Sequence, residues 1–483
     1  MTGDVNQMTV PELRLVDAEL HRTETETRMP FRFGIAVMTA APHVILKCQY
    51  EIGGKTFMGI AAEGLLPKWF DKSPEKSASQ EIEEMLLVIR NAVAIARTLG
   101  PSTGFDFWRS IYDQQMIWGS AQDLPALLTN FGISMVERTM IDALAQSQGL
   151  NLAGLMRENV PGMDLQSIHP ELGNLSPADL LPTKPLESIT ARHTIGLSDP
   201  LTVADLTSDI RITDGLPQAF EDCIDAYGLC HFKLKVSGKV ESDLERLRQI
   251  ARIVVDRCGS DYAFTLDGNE QYHSFSDFVE LWESVQADDS LRSFFQNLIF
   301  IEQPLHRSVA LDGEHAPIRD WEGGPPVIID ESDATLESLS KALELGYTGT
   351  SHKNCKGVMK GIANRCLINH YARTERSSRY QMSGEDLVNI GPVALLQDLA
   401  AQAVMGNSTV ERNGHHYFCG LTPFAPSISR AMLDHHADLY TPLDDQYARL
   451  NVLNGALPMG SVNEAPFGVA GTIPLDGFQQ IDL

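Results

Sequence analysis

A set of charged residues closes successive strand-like segments of this chain. Lys233 and Lys235 stand in HFKLKV, Asp267 in YAFTLDGN, Glu302 in LIFIEQP, Asp330 in PVIIDES and Lys353 in GTSHKN. Apolar β-branched or aromatic residues precede each carboxylate, so each would be partly withdrawn from water and in need of a partner. Three hard oxygen donors without His or Cys suit Mg²⁺, or Mn²⁺ in its place. A lone Asp in such a position could equally cap the following helix; three in succession between lysines favour the metal. Lys233 and Lys235 are two apart on one strand and share a face. Burial and mutual repulsion would push one of them down toward a useful base. Lys353 would address the ligand from the opposite side, with Glu331 as its expected partner. Asn269, just beyond Asp267, is a supporting polar group.

The stations recur about every 30 residues, the length of one strand, one helix and two short loops. Eight strand-like segments alternate with helical patterns from SITARHTIG (188–196) to STVERNG (408–414). That pattern predicts a closed, parallel TIM-type (β/α) barrel with its chemistry at the C-terminal strand ends. The expected division is an N-terminal arm at 1–27 with a short helix after Pro11, an α+β capping domain with linker at 28–187, the barrel at 188–425, and a C-terminal segment at 426–483 returning to the cap. The last two strands end in SGED and ERNG, so Ser383, Glu385 and His415 are expected at the barrel mouth as substrate contacts. Cap loops near Ala40–His43 and Glu63–Phe70 should close over them, with Trp69 supplying apolar contact. The His415-His416 pair shows no matching third ligand in sequence and reads as a polar loop.

Composition narrows the partners. The 483 residues carry 38 Lys+Arg against 64 Asp+Glu, a net charge of −26. This argues against non-specific binding to nucleic acid or to an anionic membrane. No apolar run is long enough for a membrane span, and MTGDVNQMTVPEL has neither the basic nor the apolar region of a signal peptide. Seven scattered cysteines without CxxC spacing suggest free thiols in a reducing cytoplasm. HExxH, GxSxG, P-loop and GxGxxG patterns are not in evidence, which weakens hydrolase and nucleotide readings.

FKLKV (232–236), LDGN (266–269), IEQP (301–304), DES (330–332) and the Lys353–Lys356–Gly357 segment together resemble the enolase superfamily. The likeness is to its mandelate racemase/muconate lactonizing enzyme family. MPFRFGIAV (29–37) resembles that family's first strand, and VERTMIDALAQSQG (136–149), with Asp142, a helix of its cap. The resemblance implies metal ligands at Asp267, Glu302 and Asp330, bases at Lys235 and Lys353, and Lys233 as electrophilic partner of a substrate carboxylate. It implies removal of a proton α to that carboxylate through an enediolate. Racemisation or epimerisation is the first expectation. Cycloisomerisation or syn-dehydration of the muconate lactonizing or succinylbenzoate synthase kind is the alternative. A retired barrel that binds metal or carboxylate without turnover is the alternative of another class. The expected partners are a small carboxylate substrate and further copies of the chain in a homo-oligomer. Val358 stands where the family usually has a second glycine after Gly357.

Overall fold

A computed structural model of the chain describes residues 10–33 and 36–483. Residues 1–9 and 34–35, which include part of the expected arm and the middle of the segment 29–37, lie outside the described residues.

The cap begins as a meander of three long antiparallel strands: β1 (Leu13–Phe33), β2 (Ala36–Ile52) and β3 (Lys55–Gly64). Gly53 and Gly54 both adopt positive φ (58° and 76°), as a two-residue hairpin turn with the twist of its strands requires. β1 corrects an expectation, because residues 13–27 are not an arm with a short helix. Leu13, Leu15, Ala18 and Leu20 turn inward, with Arg14, Val16 and Asp17 exposed among them. A register shift between Leu15 and Asp17 breaks the alternation, which hides the strand from a period-two reading.

Three helices cover the sheet: α1 (Ala78–Thr98), α2 (Gly104–Ala121) and α3 (Ala126–Gln148). A Ser77/Gln80 capping box opens α1. α3 is buried from Leu127 to Ala145, because it lies between sheet, helices and barrel. A Cβ on Gly59 would stand 1.8 Å from the Thr139 carbonyl oxygen, and one on Gly132 would stand 2.2 Å from that of Val88. These two glycines let α3 lie against β3 and α1. On its other side Asn130 Nδ2 donates to the Lys356 carbonyl (2.7 Å), and Glu137 accepts from Met359 N–H (2.7 Å). The helix that carries Asp142 thus ties the cap to the loop after Lys353.

The barrel has eight parallel strands: β4 (Ser188–Ile195), β5 (His231–Lys235), β6 (Ala263–Asp267), β7 (Leu298–Glu302), β8 (Val327–Ile329), β9 (Gly349–His352), β10 (Gln381–Gly384) and β11 (Thr409–Glu411). β11 pairs back onto β4 through Thr409↔Thr190 and Glu411↔Arg192, closing the ring. Register aligns Lys235 with Asp267 and Asp267 with Glu302. Helices run between most strands, but 303–326 carries only a 3₁₀ turn at Ile318–Asp320. The expected linker is packed: short helical turns at 165–180 fasten to the helix Val358–Thr374 through His169–Asn364 (2.9 Å) and Arg373 to the Asp179 carbonyl (2.6 Å).

The C-terminal segment forms a small hairpin, β12 (Tyr440–Pro442) and β13 (Ala448–Leu450). β14 (Ala456–Pro458) then pairs antiparallel with β4, and β15 (Gln479–Ile481) adds an edge to β1. The tail therefore completes the cap. Among the described residues no helix is long and apolar enough to cross a membrane.

Burial pushes Asp142, which accepts from Ile60 N–H at 3.0 Å, up to about 7. An unfolded Asp titrates near about 4. Between about pH 4 and 7 the folded chain holds a proton that the unfolded chain has lost, so this group's contribution to stability falls as pH rises. Asp142→Asn keeps the acceptor oxygen and removes the titration. Its melting temperature should gain on that of the unmodified chain as pH rises from 5 to 8; identical pH slopes would contradict this.

Candidate active site

β5 buries Phe232 and Leu234 on one face and aims Lys233 and Lys235 at the other. Lys233 Nζ stands among four carboxylates: Glu385 at 2.7 Å, Glu302 at 2.9 Å, Asp267 at 3.1 Å and Glu411 at 3.2 Å. Burial alone would lower its pKa, but Asp267, Glu302, Glu385 and Glu411 outweigh burial and hold it well above the ordinary lysine value. The expectation of a lysine pushed down by its neighbour thus fails at Lys233, because carboxylates surround it. Lys235 is more lightly held, donating to Asn269 Oδ1 at 3.0 Å with Asp267 at 3.9 Å. Asn269 takes a left-handed φ of 46°, which asparagine tolerates. Its N–H also donates to Asp267 Oδ1 at 2.8 Å.

Across the ring, Lys353 Nζ pairs with Asp330 Oδ2 at 2.5 Å and lies 4.8 Å from the centre of the Trp69 ring, a cation–π distance. Lys356 engages Asp330 Oδ1 at 2.9 Å and Ser351 Oγ at 2.7 Å. Burial opposes ionisation of Asp330, yet Lys353 and Lys356 hold it well below the ordinary carboxylate range. Lys353 is correspondingly raised: burial would lower it, and Asp330 more than compensates. Glu331 is not its partner. It faces the acids Glu270 and Asp330, and burial together with those charges pushes it up to about 7.

One cavity joins most of these groups, though Glu302 and Lys356 do not line it. Lys233, Lys235, Asp267, Asn269, Asp330, Glu331, Lys353, Asp386, Glu411 and Asn413 make its polar floor. Phe31, Leu66, Trp69, Leu387 and Val388 make an apolar roof, with Lys68 and Lys72 beside it. Lys235 ends the second barrel strand and Lys353 follows the sixth, so they approach from opposite walls.

Three expected substrate contacts fall elsewhere. Ser383 and Glu385 lie behind Lys233, bonded to Arg192 inside the barrel, and neither lines the cavity. Glu411 and Asn413 hold the mouth positions instead. His415 sits in the short helix Gly414–Tyr417, which carries it outside the barrel against His193. The Ala40–His43 loop expected over the mouth is part of β2, and Phe31 of β1 lines the cavity. Trp69 lines it as expected, while Phe70 packs on Phe131 at 5.0 Å.

Arg307 holds the cap loop in place. It donates to the Trp69 and Phe70 carbonyls, both at 3.0 Å, and pairs with Glu270 at 2.7 and 2.8 Å. Lys72 pairs with the same glutamate. Hydrogen bonds to charged groups contribute roughly 1.5–3 kcal/mol each. Arg307→Ala should therefore speed tryptic cleavage after Lys68, Lys72 and Lys76 by at least about tenfold. An unchanged cleavage rate would show that the loop is held by other contacts.

The donor set suits a hard divalent cation: Asp267, Glu302 and Asp330 offer only carboxylate oxygens, and the buried Glu302 Oε2 has no hydrogen-bond partner. Among the described residues the three do not gather around one point. Lys233 stands between Asp267 and Glu302, while Lys353 and Lys356 draw Asp330 aside. A cation held by all three would take over the counter-charge that these ammonium groups supply.

No protein-family model matches the chain, and no curated protein sequence does. Solved structures do match. A mandelate racemase/muconate lactonizing protein from Herpetosiphon aurantiacus superposes with a TM-score of 0.59 at 15% identity, over 95% of this chain and 99% of its own. An enolase from Bradyrhizobium, complexed with magnesium and mandelic acid, gives 0.56 at 14%, over 96% of each chain. A dipeptide epimerase from Enterococcus faecalis, complexed with Mg and L-Leu-L-Tyr, gives 0.54 at 13%, over 84% of this chain and 92% of its own. The chain has the fold of the mandelate racemase/muconate lactonizing proteins. Within that fold Phe31, Leu66 and Trp69 of the cap close over the mouth where the charged residues meet.

Proposed function

We propose that the chain is a Mg²⁺-dependent enzyme of the enolase superfamily that removes a proton α to a substrate carboxylate, and that it is a racemase or epimerase. The observation that carries this reading is the placement of Lys235 and Lys353 on opposite walls of one cavity with carboxylates between them. The compounds bound to two of the similar structures, mandelic acid and a dipeptide, are both carboxylic acids that bear an α-proton.

Asp267, Glu302 and Asp330 would hold the cation, which when bound supplies Lewis acidity for a carboxylate losing its α-proton. Lys233 is held as an ammonium and faces the substrate carboxylate. Lys235, with Asn269 as its near partner, takes the proton at Nζ. Lys353, kept protonated beside Asp330, returns a proton to the opposite face. Each turnover breaks one C–H bond and forms another, and the two lysines exchange protonation states. The apolar roof excludes water from the carbanionic species.

One observation favours the alternative of cycloisomerisation or syn-elimination. Lys353 is gripped by Asp330 and covered by Trp69, whereas Lys235 is loosely held, which suits one working base and one fixed charge. Mg²⁺-dependent exchange of a substrate α-proton with D₂O tests proton abstraction itself. Exchange of both enantiomers separates the racemase from the alternative.

A further inference from the structure

On β4, Arg192 and Thr194 point into the barrel, toward Glu385 and Glu411. Alternation along the strand turns His193 outward, into the layer of helices. There it meets Cys223 of the helix Phe220–Tyr227 and His416 of the helix Gly414–Tyr417. Each offers one donor atom, and the three atoms lie within 4.8 Å of one another. All three residues are buried, with exposures of 2%, 0% and 2%. Among the described residues this is the only His/Cys/Asp/Glu group so gathered.

We propose that His193, Cys223 and His416 form a buried thiolate–imidazole site for Zn²⁺, distinct from the barrel mouth. Tetrahedral zinc with bonds of about 2.3 Å to sulfur and 2.0–2.1 Å to nitrogen places S and N about 3.6 Å apart. Cys223 Sγ and His416 Nδ1 already stand 3.6 Å apart. The remaining edges, no longer than 4.8 Å, would have to close by at most about 1.5 Å to reach tetrahedral spacing. His193 Nδ1 lies 3.3 Å from His415 Nε2, the outer partner that fixes the orientation of a ligating imidazole. His415 Nδ1 is itself buried without a partner, so this neighbour retains unused polar capacity. Arg28 is the nearby cation. Asp214 pairs with it, and it donates to the His416 carbonyl at 3.0 Å, so its charge is already compensated. Binding breaks the Cys223 S–H bond, releases that proton to solvent and forms a Zn–S bond, with no change of oxidation state. The ion would pin the first barrel strand to its flanking helices where β1 docks, a structural role independent of the proposed catalysis.

The test uses the full chain loaded with Zn²⁺ or Co²⁺ in excess Mg²⁺ and then dialysed. One equivalent of Zn²⁺ should remain, and the Co²⁺ form should show tetrahedral visible bands and a thiolate charge-transfer band. Cys223→Ser should abolish that band and weaken Zn²⁺ retention at least 100-fold, while Asp267→Asn should leave both unchanged. Substoichiometric Zn²⁺, a Co²⁺ form without thiolate absorption, or equal retention by Cys223→Ser would overturn the proposal. Should Cys223→Ser fail to fold, alkylation of the unmodified chain under mild denaturant, mapped by mass spectrometry, decides. Zn²⁺ should slow labelling of Cys223 selectively over the equally buried Cys48 and Cys366. Uniform or absent protection would overturn the site.

Discussion

Lys235→Ala is expected to stop α-proton exchange of one substrate enantiomer and spare the other, and Lys353→Ala is expected to do the reverse. The two lysines come from opposite walls of the barrel, so each reaches one face of the reacting carbon. Loss of a positioned general base typically costs about 10²–10⁴-fold. Both positions also carry charge near carboxylates, and Lys353 balances Asp330 directly. The arginine variants separate charge from proton transfer. Arginine keeps the cation but titrates above about 12 and cannot act as a base. Lys353→Arg should therefore lose one hand of exchange while retaining metal binding. Under cycloisomerisation or elimination, one replacement would abolish all exchange while the other only slowed turnover. Equal slowing of both hands by both replacements would contradict the two-face arrangement.

Asp267→Asn, Glu302→Gln and Asp330→Asn are each expected to weaken Mg²⁺ binding, by at least about 100-fold where even outer-sphere partners matter 10–100-fold. Their effect on turnover should reach on the order of 10³-fold, since Lewis-acid stabilisation of the reaction supplies several kcal/mol. The three should differ in a second respect. Asp330 neutralises two buried lysines, Lys353 and Lys356, so its amide variant leaves both cations short of a counter-charge and should also lower thermal stability. Glu302 carries the orphaned oxygen, so Glu302→Gln should cost binding without that penalty. Unchanged Mg²⁺ stoichiometry by calorimetry in all three variants would remove the ligand assignment.

The barrel and its charged rim were legible because each station is a short apolar run ended by one charge. Lys233, Lys235, Asp267, Asp330 and Lys353 all line the cavity. Depth was not legible. Ser383 and Glu385 close a strand as Asp267 does, yet Arg192 draws them below the floor, and no local pattern in SGED encodes that partner. His415 follows a barrel strand in sequence, yet a single helical turn after β11 rotates it out of the barrel. The first half of β1 carries no clear strand signal, because a bulge disrupts its alternation ahead of a run of Thr and Glu. Phe31, Lys72 and Arg307 gain their roles only when cap and barrel dock, a long-range contact without a local signature. The companions of His416 were hidden for the same reason, since Cys223 and His193 are remote in sequence.

The central claim is metal-dependent proton abstraction by two lysines in one cavity. Its most direct test is proton NMR of α-proton loss in D₂O. The chain, with Mg²⁺, is incubated with a panel of carboxylic acids spanning amino-acid derivatives, dipeptides, lactones and sugar acids. The expected result is exchange in at least one class, abolished by chelation, restored by Mg²⁺ and absent from the Lys235→Ala/Lys353→Ala double variant. Exchange that survives chelation or persists in the double variant would contradict the account, as would failure of every α-proton-bearing acid in the panel.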